Sequence, residues 1–229
     1  MTRRELARMI DHTAIRPDTT MTDVEGVCAE AVQFGFGTVC VAPVWVSLAV
    51  KALSGTGVRV GSVAGFPHGS NLTVVKSVEA SMVMEMGADE VDMVLPIGVL
   101  KSGGTELVQM DIAFVAKLVH RKPGGIVKVI LETPLLTDDE IKLACRMAQA
   151  AGADFVKTAT GFAGGGATVR VVRLMKEAVG DRVGVKAAGG IRDYATVKAM
   201  IDAGATRIGA SQSVGIMQSF DAERGGSAG

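Results

Sequence analysis

The chain is predicted to be an α/β protein folded as a single (β/α)8 barrel, and three observations predict it. One pattern occurs four times: a helical stretch ends at a glycine and an apolar strand follows. The copies run from Gly35 to Cys40, Gly87 to Asp92, Gly152 to Lys157 and Gly204 to Gly209. Four further apolar runs rich in β-branched residues are interleaved with these copies, giving eight strands. The joining segments carry apolar residues at helical period, and strands alternating with helices along a whole chain mean a parallel sheet that closes at eight units.

In chain order, the first strand is Met9-Ile10-Asp11-His12-Thr13, and Val24, Val27, Cys28, Ala31 and Val32 mark the helix after it. Each repeated glycine caps a helix C-terminus in the left-handed region, after which a short loop leads into a strand buried on both faces. The third strand lies within Val58 to Phe66, and Ser70 through Met86 returns the chain to the fourth. Val108, Asp111, Ile112, Val115 and Val119 form a helical stripe with one polar exception. The fifth strand lies within Ile126 to Glu132, and Thr137 with Glu140 makes a capping box before Ile141. The seventh is Val183 to Lys186, and Asp193 through Ala203 leads to the eighth. An open doubly wound sheet is the competing topology, disfavoured because no dinucleotide fingerprint follows the first strand. The barrel is expected over 1–220 and a flexible tail over 221–229.

At 229 residues one α/β barrel accounts for the whole length. The 24 basic and 24 acidic residues cancel, leaving no excess field for nucleic acid or an anionic membrane. No apolar run is long enough to span a bilayer, and the start lacks the apolar segment of a signal peptide, so a soluble cytoplasmic protein is expected. Cys28, Cys40 and Cys145 are odd in number and widely spaced, indicating neither a disulfide framework nor a zinc site.

Side chains inside a barrel stack in layers filled by alternate strands. The glycine-led copies are strands two, four, six and eight. Five residues after each glycine stand Cys40, Asp92, Lys157 and Gly209, so these four are expected in one layer. Lys186 belongs to strand seven beside Lys157, Lys128 to strand five between Asp92 and Lys157, and Asp11 to strand one. From its own stretch, Lys157 reads equally as a buried salt bridge, a lysine reaching for the barrel mouth, or a reactive amine. A free lysine, with a pKa of about 10.4, is protonated at neutral pH. A neighbouring cation and partial desolvation lower that value and free the amine to form a Schiff base with a carbonyl. Asp92 could then move protons. Beyond strands six to eight come Gly161, Gly164-Gly165-Gly166, Gly189-Gly190 and Gly209-Ala210-Ser211, where glycine lets backbone N–H groups approach a phosphate. A Schiff-base lysine beside a phosphate pocket describes an aldolase or near relative acting on a phosphosugar.

Six segments carry a resemblance. They are Asp11-His12-Thr13, Gly65-Phe66-Pro67-His68-Gly69, Glu90-Val91-Asp92-Met93-Val94, Lys128 to Thr133, Phe155 to Phe162, and Lys186 to Arg192. In this order they resemble the deoxyribose-phosphate aldolases across nearly the whole chain. The resemblance implies a TIM barrel and a class I aldolase. It would reversibly cleave 2-deoxy-D-ribose 5-phosphate to D-glyceraldehyde 3-phosphate and acetaldehyde without cofactor or metal. It implies Lys157 as the Schiff-base lysine, Asp92 as proton donor and acceptor, and Lys186 as perturber of Lys157 and a further proton carrier. Asp11, Thr13 and Lys128 would support them, while Gly161, Gly189, Gly190, Gly209 and Ser211 would hold the phosphate. Small phosphosugars and aldehydes are the expected partners, and a homodimer or homotetramer the expected assembly. Two features depart from the family. Cys40-Val41-Ala42-Pro43 lacks the asparagine often found before that proline, and the tail has no tyrosine.

A transaldolase-like or isomerase barrel, or a phosphosugar-binding protein without activity, stays open on the residues alone. His12 and His68 have no metal-ligand spacing and read as structural hydrogen bonders. Cys40 reads as packing in the active layer, still reachable by an aldehyde. Met82, Met84 and Met86 read as core and helix–helix filler, and Trp45 or Tyr194 as a subunit contact.

Overall fold

The structure, a computed structural model, describes residues 1–225. Its order is α1 (Arg3–Arg8), β1 (Ile10–Ala14), α2 (Met21–Phe34), β2 (Thr38–Val41), α3 (Val46–Leu53), β3 (Arg59–Ala64), α4 (Thr73–Glu85), β4 (Glu90–Val94), α5 (Ile97–Lys101) and α6 (Thr105–Val119). It continues through β5 (Ile126–Ile130), α7 (Asp138–Ala150), β6 (Phe155–Lys157), α8 (Val169–Val179), β7 (Gly184–Ala188), α9 (Tyr194–Asp202), β8 (Arg207–Ala210) and α10 (Ser213–Gly225). The strands are all parallel and close in sequence order, β8 pairing with β1, so the predicted (β/α)8 barrel is what the chain forms.

The four repeated glycines do what their position requires. Gly35, Gly87, Gly152 and Gly204 have φ of 74, 109, 88 and 111°. The amide after each reaches back five residues, from Phe36 to Ala31, Ala88 to Val83, Ala153 to Ala148 and Ala205 to Met200, at 2.9–3.0 Å. Those bonds satisfy carbonyls that the helix end leaves unpaired and turn the chain directly into the next strand. Thr137 and Glu140 form the expected capping box, and Thr2 with Glu5 and Thr20 with Asp23 form two more. Each such cap is worth about 1 kcal/mol.

The apolar core lies between sheet and helices. Outward-facing Val39, Val91, Met93, Val129, Val156, Val185 and Ile208 are buried against the helix ring. Burying each such side chain contributes roughly 1.5–3 kcal/mol. The polar exception in α6 is explained here: Asp111 pairs with Lys76 of α4 at 2.7 Å, both buried, and the Lys76 ammonium also donates to the Val94 carbonyl. Among the described residues no helix is long and apolar enough to cross a membrane.

Several expectations are corrected. Met82 and Met86 are not filler, being 47% and 40% exposed, because they fall on the outer side of α4 and at its end. Tyr194 is buried edge-on against Phe220 of α10 and cannot face another subunit. Of the tail expected over 221–229, residues 221–225 form the end of α10, with Asp221 paired to Arg3. The rest of that expectation, residues 226–229, lies outside the described residues.

Candidate active site

Strand register fills the barrel with charge instead of hydrocarbon. Asp11, Gly61, Lys128 and Lys186, from the odd strands, each lie between one residue of a lower even-strand layer and one of the upper. The upper layer is the expected one of Cys40, Asp92, Lys157 and Gly209. The lower is Thr38, Glu90, Phe155 and Arg207, three residues after each repeated glycine. The same count that located Asp92 and Lys157 therefore also points to Glu90 and Arg207, which the sequence reading missed.

Asp92 is the hub. Its Oδ1 accepts from Lys128 at 2.7 Å, and its Oδ2 accepts from both Lys157 and Lys186 at 2.7 Å. Lys186 also donates to Asp11, and Lys128 pairs with Glu90 at 2.6 Å. Arg207 donates to Asp11 at 2.8 Å from below and pairs with Glu90 at 3.4 Å. Three buried carboxylates thus meet four cations, Lys128, Lys157, Lys186 and Arg207, while Arg59 reaches Glu90 from the solvent side.

These surroundings separate the three lysines. Burial opposes the charge on all of them. For Lys128 the carboxylates of Asp92, Glu90 and Asp11 outweigh burial, and its pKa stands well above the ordinary lysine value. For Lys186, Asp11 and Asp92 do the same. For Lys157, burial joined by the Lys186 charge outweighs its one carboxylate, Asp92, and lowers its pKa. Burial works against the Asp92 carboxylate too, but the three lysines prevail and hold it well below the carboxylate range. Cys40 is buried, and burial followed by the nearby Asp92 raises its thiol to about 11, so it is no nucleophile at neutral pH.

A cavity of about 780 Å³ opens at the C-terminal ends of the strands. Lys157 is on its wall, whereas Lys128 and Lys186 are fully buried beneath. Thr13 lines it as well, its hydroxyl donating to the Asp11 carbonyl at 3.0 Å, so it borders the cavity without joining the ion cluster. Gly161, Gly189, Gly190, Gly209 and Ser211 all line the same cavity. Their lack of side chain serves different ends. Gly161 and Gly190 sit at φ of 87 and 78° with open space where a Cβ would stand. At Gly209 a Cβ would come within 2.9 Å of Lys186 Cε, so this glycine lets the lysine stem pass. Arg16 and Arg192, which motif reading passed over, stand at the cavity mouth.

His12 is a structural bridge, as expected: its ring bonds Ser213 Oγ at 3.0 Å and Glu30 at 2.6 Å, joining β1 to α10 and α2. His68 is exposed on the loop after β3.

The comparisons with known proteins agree with this geometry. Residues 6–227 match the DeoC/LacD family aldolase model. The chain is 51% identical to deoxyribose-phosphate aldolase 1 of Bacillus licheniformis, over 96% of this chain and 98% of that protein. It is also 51% identical to the deoxyribose-phosphate aldolase of Streptococcus gordonii, over 93% and 96% of the two chains. The solved structure of the tetrameric deoxyribose phosphate aldolase of Aeropyrum pernix superposes with a TM-score of 0.89 at 36% identity, covering 96% of this chain and 92% of that one. With the charged barrel interior, the cavity-facing lysine and a match over nearly its whole length, the chain belongs to the DeoC/LacD family of aldolases.

Proposed function

We propose that this enzyme reversibly cleaves 2-deoxy-D-ribose 5-phosphate to D-glyceraldehyde 3-phosphate and acetaldehyde through a Schiff base on Lys157. The observation that carries the reading is the asymmetry among the lysines: the one on the cavity wall is the one whose ammonium form is disfavoured. With Lys157 neutral, Lys128, Lys186 and Arg207 balance Asp11, Glu90 and Asp92, so the uncharged amine leaves the buried cluster electrically even.

The neutral amine attacks the aldehyde carbon C1, and loss of water from the carbinolamine gives an iminium. Removing the C3 hydroxyl proton breaks the C2–C3 bond. Glyceraldehyde 3-phosphate departs and the electron pair passes into the iminium, leaving an enamine. Protonation at C2 and hydrolysis release acetaldehyde and restore the amine. Asp92, within 2.7 Å of the Lys157 nitrogen, is the carboxylate in position to move these protons, directly or through water. Lys186 opposes charge on Lys157 and, through Asp92, can pass a proton to the same place. Asp11 and Lys128 hold Asp92 and Lys186 in register, and Thr13 supports the cavity wall.

The phosphate is assigned to the far side of the cavity, on the backbone of Gly161, Gly189 and Gly190 with Gly209 and Ser211. Arg192 also lines this cavity and can supply positive field, whereas Arg16 at its mouth is paired with Asp18 at 2.9 Å. A cytoplasmic location fits three unpaired buried cysteines. Homo-oligomerisation, as a dimer or a tetramer like that of the Aeropyrum pernix relative, is supported by an exposed apolar face. Val75, Val78 and Met82 of α4 continue into Leu107, Met110 and Phe114 of α6, each at least 44% exposed.

Borohydride reduction in the presence of acetaldehyde, followed by peptide mass analysis, tests the central step. A stable two-carbon adduct on Lys157 is expected. An adduct confined to Lys186, or none, overturns the assignment. Turnover of the phosphosugar without release of acetaldehyde would instead indicate a transaldolase-like or isomerase reaction.

A further inference from the structure

One buried carboxylate takes no part in the chemistry above. Glu132, just beyond β5, is 1% exposed, and among the described residues it has no ion-pair partner. Its backbone stands at φ 55°, ψ 57°, the one left-handed non-glycine residue described. Glycine or asparagine suits that conformation better, so the demand for glutamate must lie in the side chain.

That side chain is spent wholly on the loop after β6. Both carboxylate oxygens accept the Thr160 N–H, at 3.1 and 3.2 Å, and Oε2 also accepts the Thr160 hydroxyl proton. The hydroxyl oxygen in turn accepts the Phe162 N–H at 3.0 Å. Farther along, the same loop is held by backbone contact: the Ala167 N–H donates to the Gly189 carbonyl at 3.1 Å, and a Cβ on Gly165 would come within 2.6 Å of Pro134. The near half, three to five residues beyond Lys157, depends on Glu132. With the Thr160 donors drawn inward, Gly161 is the next backbone unit along the cavity wall.

We propose that Glu132 is a positioning residue: through Thr160 it fixes the Gly161 edge of the phosphate pocket relative to Lys157, and so confers preference for a phosphorylated over an unphosphorylated aldose. This rests on the phosphosugar reading given above. Hydrogen bonds to a charged acceptor are strong, and small misplacements of a binding loop are felt in turnover.

The test compares kcat/KM for 2-deoxyribose 5-phosphate and for 2-deoxyribose in the wild type and in Glu132→Gln, Thr160→Val and Thr160→Ser, with thermal melting of each. Glutamine offers one acceptor oxygen where two donors converge, and valine removes the hydroxyl alone. Both should reduce the preference for the phosphorylated sugar at least about tenfold, chiefly through its KM. Thr160→Ser, which keeps the hydroxyl, should stay within about threefold of wild type. If Glu132→Gln does not fold, the valine and serine variants decide. Equal losses on both sugars, or an unchanged preference, overturn the role of Glu132 while leaving the phosphate reading standing. A wild type without any preference removes the phosphate reading, and the role of Glu132 with it.

Discussion

Lys157 and Lys186 face each other in register on β6 and β7 and donate to the same oxygen, Asp92 Oδ2, at 2.7 Å each. Twice that distance bounds their separation, so the two nitrogens are at most 5.4 Å apart. Two full positive charges held that close in a buried site repel strongly. Lys186 has a second carboxylate, Asp11, to hold its proton, and Lys157 has none.

On the proposed assignment, replacing Lys157 removes the nucleophile and leaves the cavity. Lys157→Leu should lower kcat/KM by at least about 10³-fold and abolish the borohydride-trapped adduct. Since a Lys157 whose pKa is lowered by folding costs stability below its unfolded value, thermal stability at neutral pH should hold or rise. Retention of the adduct would show that another amine carries the reaction.

Lys186→Leu should act through the pH profile. The Lys186 charge disfavours Lys157 in its protonated form, so removing it raises the Lys157 pKa. The pH at which kcat rises should then move upward, with kcat at pH 7 falling on the order of 10²-fold. A reduced rate with an unshifted profile would mean that Lys186 acts by some route other than electrostatics.

Asp92→Asn leaves three lysines around a neutral amide. Breaking a buried ion pair in this way costs about 3–5 kcal/mol, and loss of the proton carrier should lower kcat on the order of 10²–10⁴-fold. Urea unfolding and steady-state kinetics on the same preparation check both. A stable, active variant would rule Asp92 out as the hub.

The folded pKa values of Asp11 and Asp92 lie below their unfolded ones. The stability these carboxylates contribute is therefore full above about pH 5 and drains away as pH falls toward their folded values. The folded values of Lys128 and Lys186 are raised, so their contribution is full below about pH 10 and is lost only as pH climbs through the folded values. Lys157 works the other way: its folded value is lowered, so below about pH 10 its contribution grows as pH rises. The urea midpoint should therefore climb toward the alkaline limit and fall on the acid side. An Asp11→Asn variant should flatten the acid limb.

The apolar face on α4 and α6 predicts a subunit contact. Val78→Glu combined with Phe114→Glu should shift the sedimentation coefficient toward the monomer, with little loss of secondary structure. An unchanged coefficient would place the contact elsewhere.

Much of the site was legible because barrel strands repeat. A glycine that ends a helix in the left-handed region sets the phase of the next strand, and the phase decides which side chains point inward. Counting five residues on located Asp92 and Lys157, and counting three would have added Glu90 and Arg207. Glu132 gave no such signal, since its role follows from a left-handed backbone that no residue pattern announced. Arg16 and Arg192 were missed because they lie in loops, outside any strand period.

By itself the sequence determined the eight-stranded order, the capped helix ends, the layer that pairs Asp92 with Lys157 and the neighbour relation of Lys157 to Lys186. All of these follow from periodicity along one chain. Residue by residue the sequence left Lys157 open between salt bridge and reactive amine, and what separates it from Lys128 and Lys186 inside the barrel is tertiary structure. It depends on how many carboxylates each ammonium reaches across the barrel and on which nitrogen borders the cavity, and those distances exist only once the sheet has closed.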